Sequence, residues 1–131
     1  MITFTIPGEP VAKGRPRAFK MHNGHIGTYT PDKTVAWEER VRYYAMQAKP
    51  ERLLDGPLVV TMQFNMTRPK STPKGRNYPT VKPDLDNLEK AVMDAMNGLI
   101  YTDDSRVVLK RSSKEYALNG EAGVRVTGEE M

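Results

Sequence analysis

The 131-residue chain has no cysteine, only two histidines and no apolar run near the roughly 20 residues that a membrane-spanning helix requires. Without cysteine it can form neither disulfides nor thiolate metal sites, which is compatible with a reducing cytoplasm. The first seven residues alternate like a β-strand and lack the regions of a secretory signal. We therefore expect a cytoplasmic protein that folds as one domain over residues 1–131 and does not span a membrane.

The two histidines, His22 and His25, do not indicate a metal site. They flank Asn23-Gly24, a dipeptide typical of a hairpin turn. A His-x-x-His pair needs a further ligand and usually a helix to present it, and neither accompanies this pair. We interpret both as surface residues of a turn.

Charge is distributed unevenly along the chain. Residues 1–82 contain 14 lysines and arginines against 6 acidic residues, whereas residues 83–131 contain 6 against 10. A basic first part suits contact with a polyanion such as nucleic acid, and an acidic second part suits a bound cation. The pattern is weak by itself, because solvated surfaces also produce it.

Hydrophobic periodicity predicts the order strand, possible hairpin, helix, strand, basic loop, helix, strand, strand. The clearest strand is 58–66, with one apolar and one mixed face, which favours a sheet covered by helices on one side. Thr30-Pro31 predicts the start of the first helix, and Lys110 and Lys114 fall at outer positions of a long strand beginning near Val107. We expect an α+β fold in which two main helices pack on a mixed or antiparallel sheet.

The second predicted helix carries the most informative residues. Asp84 and Asp86 flank a leucine in a segment that Pro83 makes extended, so both carboxylates can face one side. Asp86 with Glu89 three positions later is typical of a helix N-cap. Glycine after Asn97 suits the helix end. An apolar stripe at helical spacing anchors the other face: Leu88, Ala91, Val92, Ala95, Met96 and Leu99.

An acidic pair follows this helix. Asp103-Asp104 precedes the strand that begins near Val107, and the return of the chain could bring either carboxylate beside Asp84 and Asp86. Converging carboxylates repel one another unless a cation joins them, and such hard oxygen ligands suit Mg²⁺ or Mn²⁺. Such a site can polarise a phosphoryl oxygen and activate water. An N-cap, a turn and an exposed ion pair would be the structural alternative for the Asp-x-Asp motif alone.

Taken together, the segment Asp-Leu-Asp-Asn-Leu-Glu-Lys at 84–90, the helix that follows and the Asp103-Asp104 pair closely resemble the RusA family of Holliday junction resolvases. The resemblance implies a homodimeric, Mg²⁺-dependent endodeoxyribonuclease that makes paired cuts in four-way DNA junctions during recombination and repair, with Mn²⁺ as a plausible substitute. It implies that the catalytic residues are Asp84, Asp86, Lys90 and Asp104. It also implies metal ligation by Asp84, Asp86 and Asp104, with Asp103 as the alternative third ligand.

Two basic loops are the candidate DNA contacts. Arginine forks match phosphate oxygens, and a Pro-x-x-Lys-Gly-Arg-Pro-Arg pattern at 10–17 resembles the start of many RusA-like proteins. The second loop, 67–83, has five cations, four prolines and no acid; we expect it to be flexible and to order on DNA, with a solvated linker as the alternative. The predicted contacts are Lys13, Arg15, Arg17, Lys20, Arg68, Lys70, Lys74, Arg76 and Lys82.

Two other functions fit the same residues. One is a catalytically inert module that binds branched DNA, in which the acids only shape the fold. The other is a Mg²⁺ nuclease that acts on flaps or other branched DNA. For the dimer surface, the candidates are the strand 58–66 and the second helix. A nicking assay with and without Mg²⁺ separates an enzyme from an inert module.

Overall fold

The protein was analysed as a computed structural model that describes all of residues 1–131. Its helices and strands follow the predicted order, including the hairpin around Asn23-Gly24. They are β1 (Ile2–Pro7), β2 (Arg17–Lys20), β3 (Ile26–Tyr29), α1 (Asp32–Gln47), β4 (Leu58–Met66), α2 (Leu85–Met96), β5 (Val107–Tyr116) and β6 (Gly123–Glu130), with short 3₁₀ turns at Asp104–Arg106 and Leu118–Gly120.

The four long strands form one mixed sheet in the order β1-β6-β4-β5. β6 runs antiparallel to both β1 and β4, whereas β5 runs parallel to β4. The parallel pair requires a crossover, and α2 with its flanking segments supplies it. β2 and β3 form a separate two-stranded hairpin. The predicted α+β class with a mixed sheet is confirmed.

Both helices cover one face of the sheet, where they also pack against each other. In β4 the even-numbered residues from Leu58 to Met66 are buried in the core, and the odd-numbered ones face the other, more polar side. Trp37 and Val41 of α1 and Leu88 of α2 join them, as the helical stripes predict. Neither helix has the length and hydropathy that a bilayer span requires.

The predicted start of α2 is wrong. The helix begins at Leu85, Asp84 occupies the N-cap position with an extended backbone, and Asp86 lies in the first turn. Leu85 is a good helix former and packs partly against the core, so the helix extends back to it. The expected capping pair does not form because the carboxylate of Glu89 is hydrogen-bonded to Ser112 of β5 instead.

The two surfaces suggested for a dimer stay a prediction, but the structure limits which part of each could meet a second copy. β4 is paired along both edges, by β6 and by β5, so neither edge can accept a strand of a second copy. The apolar stripe of α2 is buried in the core.

The basic loop 67–83 contains no helix or strand, but it is tied to the protein at several points. The Arg68 guanidinium donates to the carbonyls of Pro73 and Arg76 within the loop, at 2.6 Å each. At the loop's end, Lys114 Nζ donates to the carbonyls of Val81 and Pro83 at 2.7 and 2.9 Å. That the loop is flexible and orders on DNA stays a prediction.

Arg42 of α1 caps the C-terminal end of α2, whose last turn has no basic residue of its own. Its Nη1 donates to the carbonyls of Ala95 and Asn97, at 2.8 and 3.3 Å. A cation at a helix C-terminus offsets the helix dipole and satisfies carbonyls that lack intrahelical partners.

Replacing Arg42 with methionine should therefore lower the free energy of unfolding by about 1 kcal/mol. For a domain of this size, that corresponds to a fall in melting temperature of about 3 °C. Lys33→Met is the matched control, since Lys33 is an exposed cation of the same helix whose side chain has no partner. Thermal denaturation followed by circular dichroism measures both, and equal melting temperatures would contradict the capping role.

Candidate active-site cleft

The start of α2 presents Asp86 and Lys90 on the same side of the helix, one turn apart. Asp86 is exposed in the first turn, and its Oδ1 accepts a hydrogen bond from the Asn87 backbone N–H at 3.0 Å. A carboxylate is favourable here, because the free N–H groups of the first turn and the helix dipole make this end positive. The apolar stripe on the opposite side fixes how the helix is rotated, so Asp86 and Lys90 face solvent.

The turn after α2 returns the chain to the same end of the molecule. Gly98 has a φ of +74°, a conformation that glycine adopts without strain, and its N–H donates to the Tyr101 carbonyl at 2.8 Å. The Tyr101 ring is buried, with its hydroxyl donating to the Met93 carbonyl at 2.7 Å, and this burial raises the pKa of Tyr101 far above its usual value. Tyr101 thus anchors the segment that carries Asp103 and Asp104.

Asp86, Lys90 and Asp104 line one shallow cleft of about 290 Å³ between α2 and the start of β5. The remaining residues of its wall are Asn87, Glu89, Met93 and Lys110. The structure thus brings together three of the four residues that the resemblance marks as catalytic. Asp84 does not line the cleft; it is exposed at the N-cap position, one residue before the helix.

Asp103 and Asp104 differ in orientation. The Asp103 carboxylate accepts a hydrogen bond from the Ser105 backbone N–H at 3.1 Å, where it caps the short 3₁₀ turn. Hydrogen bonding to Ser105 is also the main reason that the pKa of Asp103 lies below its usual value. Asp104 makes no such contact and faces the cleft. Of the two, the geometry makes Asp104 the one available to a ligand in the cleft.

As they stand, no three histidine, aspartate or glutamate side chains are grouped closely enough to hold a metal ion by themselves. Mg²⁺ does not require such a cage, because it usually keeps several waters and binds one or two carboxylates together with a substrate phosphate. Asp86 and Asp104 in one solvent-open cleft are a donor set of this kind. The residues present therefore fit a hydrated Mg²⁺ or Mn²⁺ ion.

Lys90 is held by a chain of charges that extends away from the cleft. Its Nζ lies 3.2 Å from Asp94 Oδ1, and the other oxygen of Asp94 lies 3.3 Å from Lys13 Nζ. Lys13 also pairs with Glu38 of α1. Partial burial alone would lower the pKa of Lys13, but the hydrogen bonds and charges of Glu38 and Asp94 outweigh it and raise that pKa.

Both basic loops contact or adjoin the N-terminal end of α2, beside the cleft. The Lys13 backbone N–H donates to the Asn87 carbonyl at 2.8 Å, and Pro83 directly precedes Asp84. Of the predicted DNA contacts, the side chains of Lys13 and Arg68 are used within the protein. The others are exposed and have no acidic partner: Arg15, Arg17, Lys20, Lys70, Lys74, Arg76 and Lys82.

Two cleft residues, Glu89 and Lys110, were not among the sequence candidates. Glu89 looked like half of a capping box, and Lys110 looked like an outward-facing position of β5. In the structure Lys110 pairs with Val60, a buried residue, and therefore lies on the helix-covered side of the sheet. The register of β5 shifts between Val107 and Leu109, which changes the side of the sheet that the later residues face. Sequence alternation gave no signal of this shift.

Comparison with known proteins identifies the family of the chain. A family model described as "Endodeoxyribonuclease RusA" matches residues 7–127. A Bacillus subtilis (strain 168) protein named "Uncharacterized protein YqaN" is 40% identical over 126 aligned residues, a match that covers 88% of each chain. The family match spans the first basic loop, the start of α2 and the acidic pair, and so includes every element that lines the cleft. The chain belongs to the RusA family of endodeoxyribonucleases.

Proposed function

We propose that the protein is a structure-selective endodeoxyribonuclease that resolves four-way DNA junctions by Mg²⁺-dependent paired cuts. The observation that supports this most directly is the common cleft of Asp86, Lys90 and Asp104. Membership of an endodeoxyribonuclease family supports the reaction class. The exposed cations of the two loops next to the cleft support a phosphate-rich substrate.

Asp86 and Asp104 would hold the cation, and Asp84 at the adjacent N-cap would contribute a further carboxylate once DNA is bound. When bound, Mg²⁺ or Mn²⁺ would polarise a phosphoryl oxygen and offset the charge that develops on the phosphate. Lys90 would donate hydrogen bonds from its ammonium group to the same phosphate. Asp94 restricts where the Lys90 ammonium can lie, because their atoms are 3.2 Å apart.

The DNA contacts would be mostly to the backbone. Cations on flexible side chains neutralise phosphates without reading bases, so recognition would depend on the shape of branched DNA. A four-way junction has two-fold symmetry and needs two symmetric cuts, which a homodimer with a two-fold axis supplies. We therefore also propose that the active species is a homodimer.

The deciding experiment compares a synthetic four-way junction with a linear duplex of the same sequences, with and without Mg²⁺. We expect Mg²⁺-dependent, symmetrically paired nicks in the junction and little cutting of the duplex. Equal cutting of both substrates would contradict selectivity for branched DNA. Junction binding without nicking in either Mg²⁺ or Mn²⁺ would contradict the nuclease function and leave an inert binding module.

A further inference from the structure

Glu89 is the only charged residue among the buried residues of the protein, at 7% exposure. It lies on α2 next to Lys90, and its carboxylate lines the cleft. Both of its contacts come from β5: the Ser112 hydroxyl donates to Oε2, and Lys110 Nζ lies 3.4 Å from Oε1. Its two oxygens therefore connect the helix of Asp86 and Lys90 to the strand on the other side of the cleft.

A buried carboxylate is not required for packing here. Removing a carboxylate from water is unfavourable unless it is paired and hydrogen-bonded, and an apolar side chain of similar volume is usually as stable or more stable. Leu88, Ala91 and Val92 show that the neighbouring positions of α2 are filled by apolar residues. The carboxylate of Glu89 thus serves the two polar groups that it contacts, of which Lys110 faces the cleft.

Lys110 has donors to spare for a ligand. A lysine ammonium has three N–H groups, and the only side-chain partner of Lys110 is Glu89. The side chain is 43% exposed, so the ammonium reaches solvent within the cleft. Lys90 has the same arrangement on α2, with Asp94 as its single carboxylate partner and an exposed side chain. The cleft therefore contains two lysines from different elements, each held by one carboxylate.

We propose that Lys110 is a second cation of the cleft that contacts a DNA phosphate, and that Glu89 is the residue that positions it. The proposal rests on the proposed nuclease function for the identity of its ligand. Ser112 fixes the Glu89 carboxylate, Glu89 limits where the Lys110 ammonium can lie, and Lys110 meets the phosphate from the β5 side. Lys90 meets it from the α2 side.

The first test replaces Lys110 with methionine, with Arg111→Met as the matched control. Arg111 is the next cation of the same strand, but it pairs with the exposed Thr61 and faces the uncovered side of the sheet. Without metal, in EDTA, Lys110→Met should reduce the slope of log K for junction binding against log salt by about 0.9. Single-turnover nicking in Mg²⁺ should slow on the order of a hundredfold. Arg111→Met should change neither value.

The second test separates positioning from a structural role through Glu89→Gln, alone and combined with Lys110→Met. Glutamine preserves the shape and the Ser112 contact but removes the charge that holds Lys110. We expect slower nicking from Glu89→Gln in the wild-type background and no further slowing in the Lys110→Met background. Equal slowing in both backgrounds, with a lower melting temperature in each, would show that Glu89 is structural.

The outcomes also distinguish this proposal from the proposed function. If the wild type does not nick, the nuclease proposal fails, and the metal-free salt slope still decides whether Lys110 contacts a phosphate. If the wild type nicks while Lys110→Met matches Arg111→Met in slope and rate, only the role of Lys110 is overturned.

Discussion

Replacing Asp86 with asparagine should leave junction binding intact and slow Mg²⁺-dependent nicking on the order of a thousandfold. Asparagine has nearly the same shape, so the first turn of α2 and the apolar packing behind it should not change. The substitution removes one of the two aspartate charges in the cleft, and with it most of the attraction for a divalent cation. Asp104→Asn should have the same effect. Single-turnover nicking and a gel shift in EDTA measure the two properties separately.

Two control variants sharpen this prediction. Asp103→Asn removes a carboxylate one position from Asp104, but this carboxylate caps the turn at Ser105. It should slow nicking far less than Asp104→Asn. Asp32→Asn changes an exposed aspartate in the first turn of α1 and should have no effect on nicking. If Asp103→Asn is the more damaging of the pair, Asp103 rather than Asp104 is the ligand.

The architecture was predictable from the sequence because most of its signals are local. Alternation at 58–66, the apolar stripe of α2 and the glycine after Asn97 each reflect burial or backbone conformation at the position itself. The pairing of strands was not predictable. β5 could return parallel or antiparallel, and only the packing of α2 across the sheet makes it parallel to β4.

The site was partly predictable for a related reason. The spacing of Asp86 and Lys90 on one helix places them on one side without any tertiary information. Asp104 could be assigned only through the family resemblance, since its position depends on the turn anchored by Tyr101. Lys110 was misplaced because a register shift in β5 reversed the side that it faces. Lys13, an expected phosphate contact, has Glu38 and Asp94 as partners, which are distant in sequence.

The position of Asp104 depends on the turn that follows α2. Among the residues outside the cleft, we therefore expect the substitution of Tyr101 to have the largest effect on stability and nicking. Its backbone bridges both Leu54 and Asn97, and the Leu54 N–H and carbonyl bond to the flanking residues Ile100 and Thr102 at 2.9 and 3.0 Å. The side chain is 1% exposed and fills the space between this segment and α2. Together with the buried Ile100, Tyr101 therefore attaches the turn that carries Asp104 to the core.

Tyr101→Ala should lower the free energy of unfolding by about 3–5 kcal/mol, because it leaves a cavity where a large ring was buried. That corresponds to a fall in melting temperature of roughly 10–20 °C for a domain of this size. Tyr101→Phe is the matched control. It keeps the ring and removes only the hydroxyl that bonds to the Met93 carbonyl, so it should lower the stability by about 1 kcal/mol.

The two variants should also differ in activity at a temperature where both remain folded. With alanine at 101, the segment of Asp104 loses its packing against α2, so the distance between Asp104 and Asp86 is no longer fixed and nicking should slow. With phenylalanine, the ring still anchors the turn, and nicking should stay near the wild-type rate. Melting curves followed by single-turnover nicking well below both transitions test this. Equal rates for the two variants would mean that the anchor stabilises the fold without setting the geometry of the cleft.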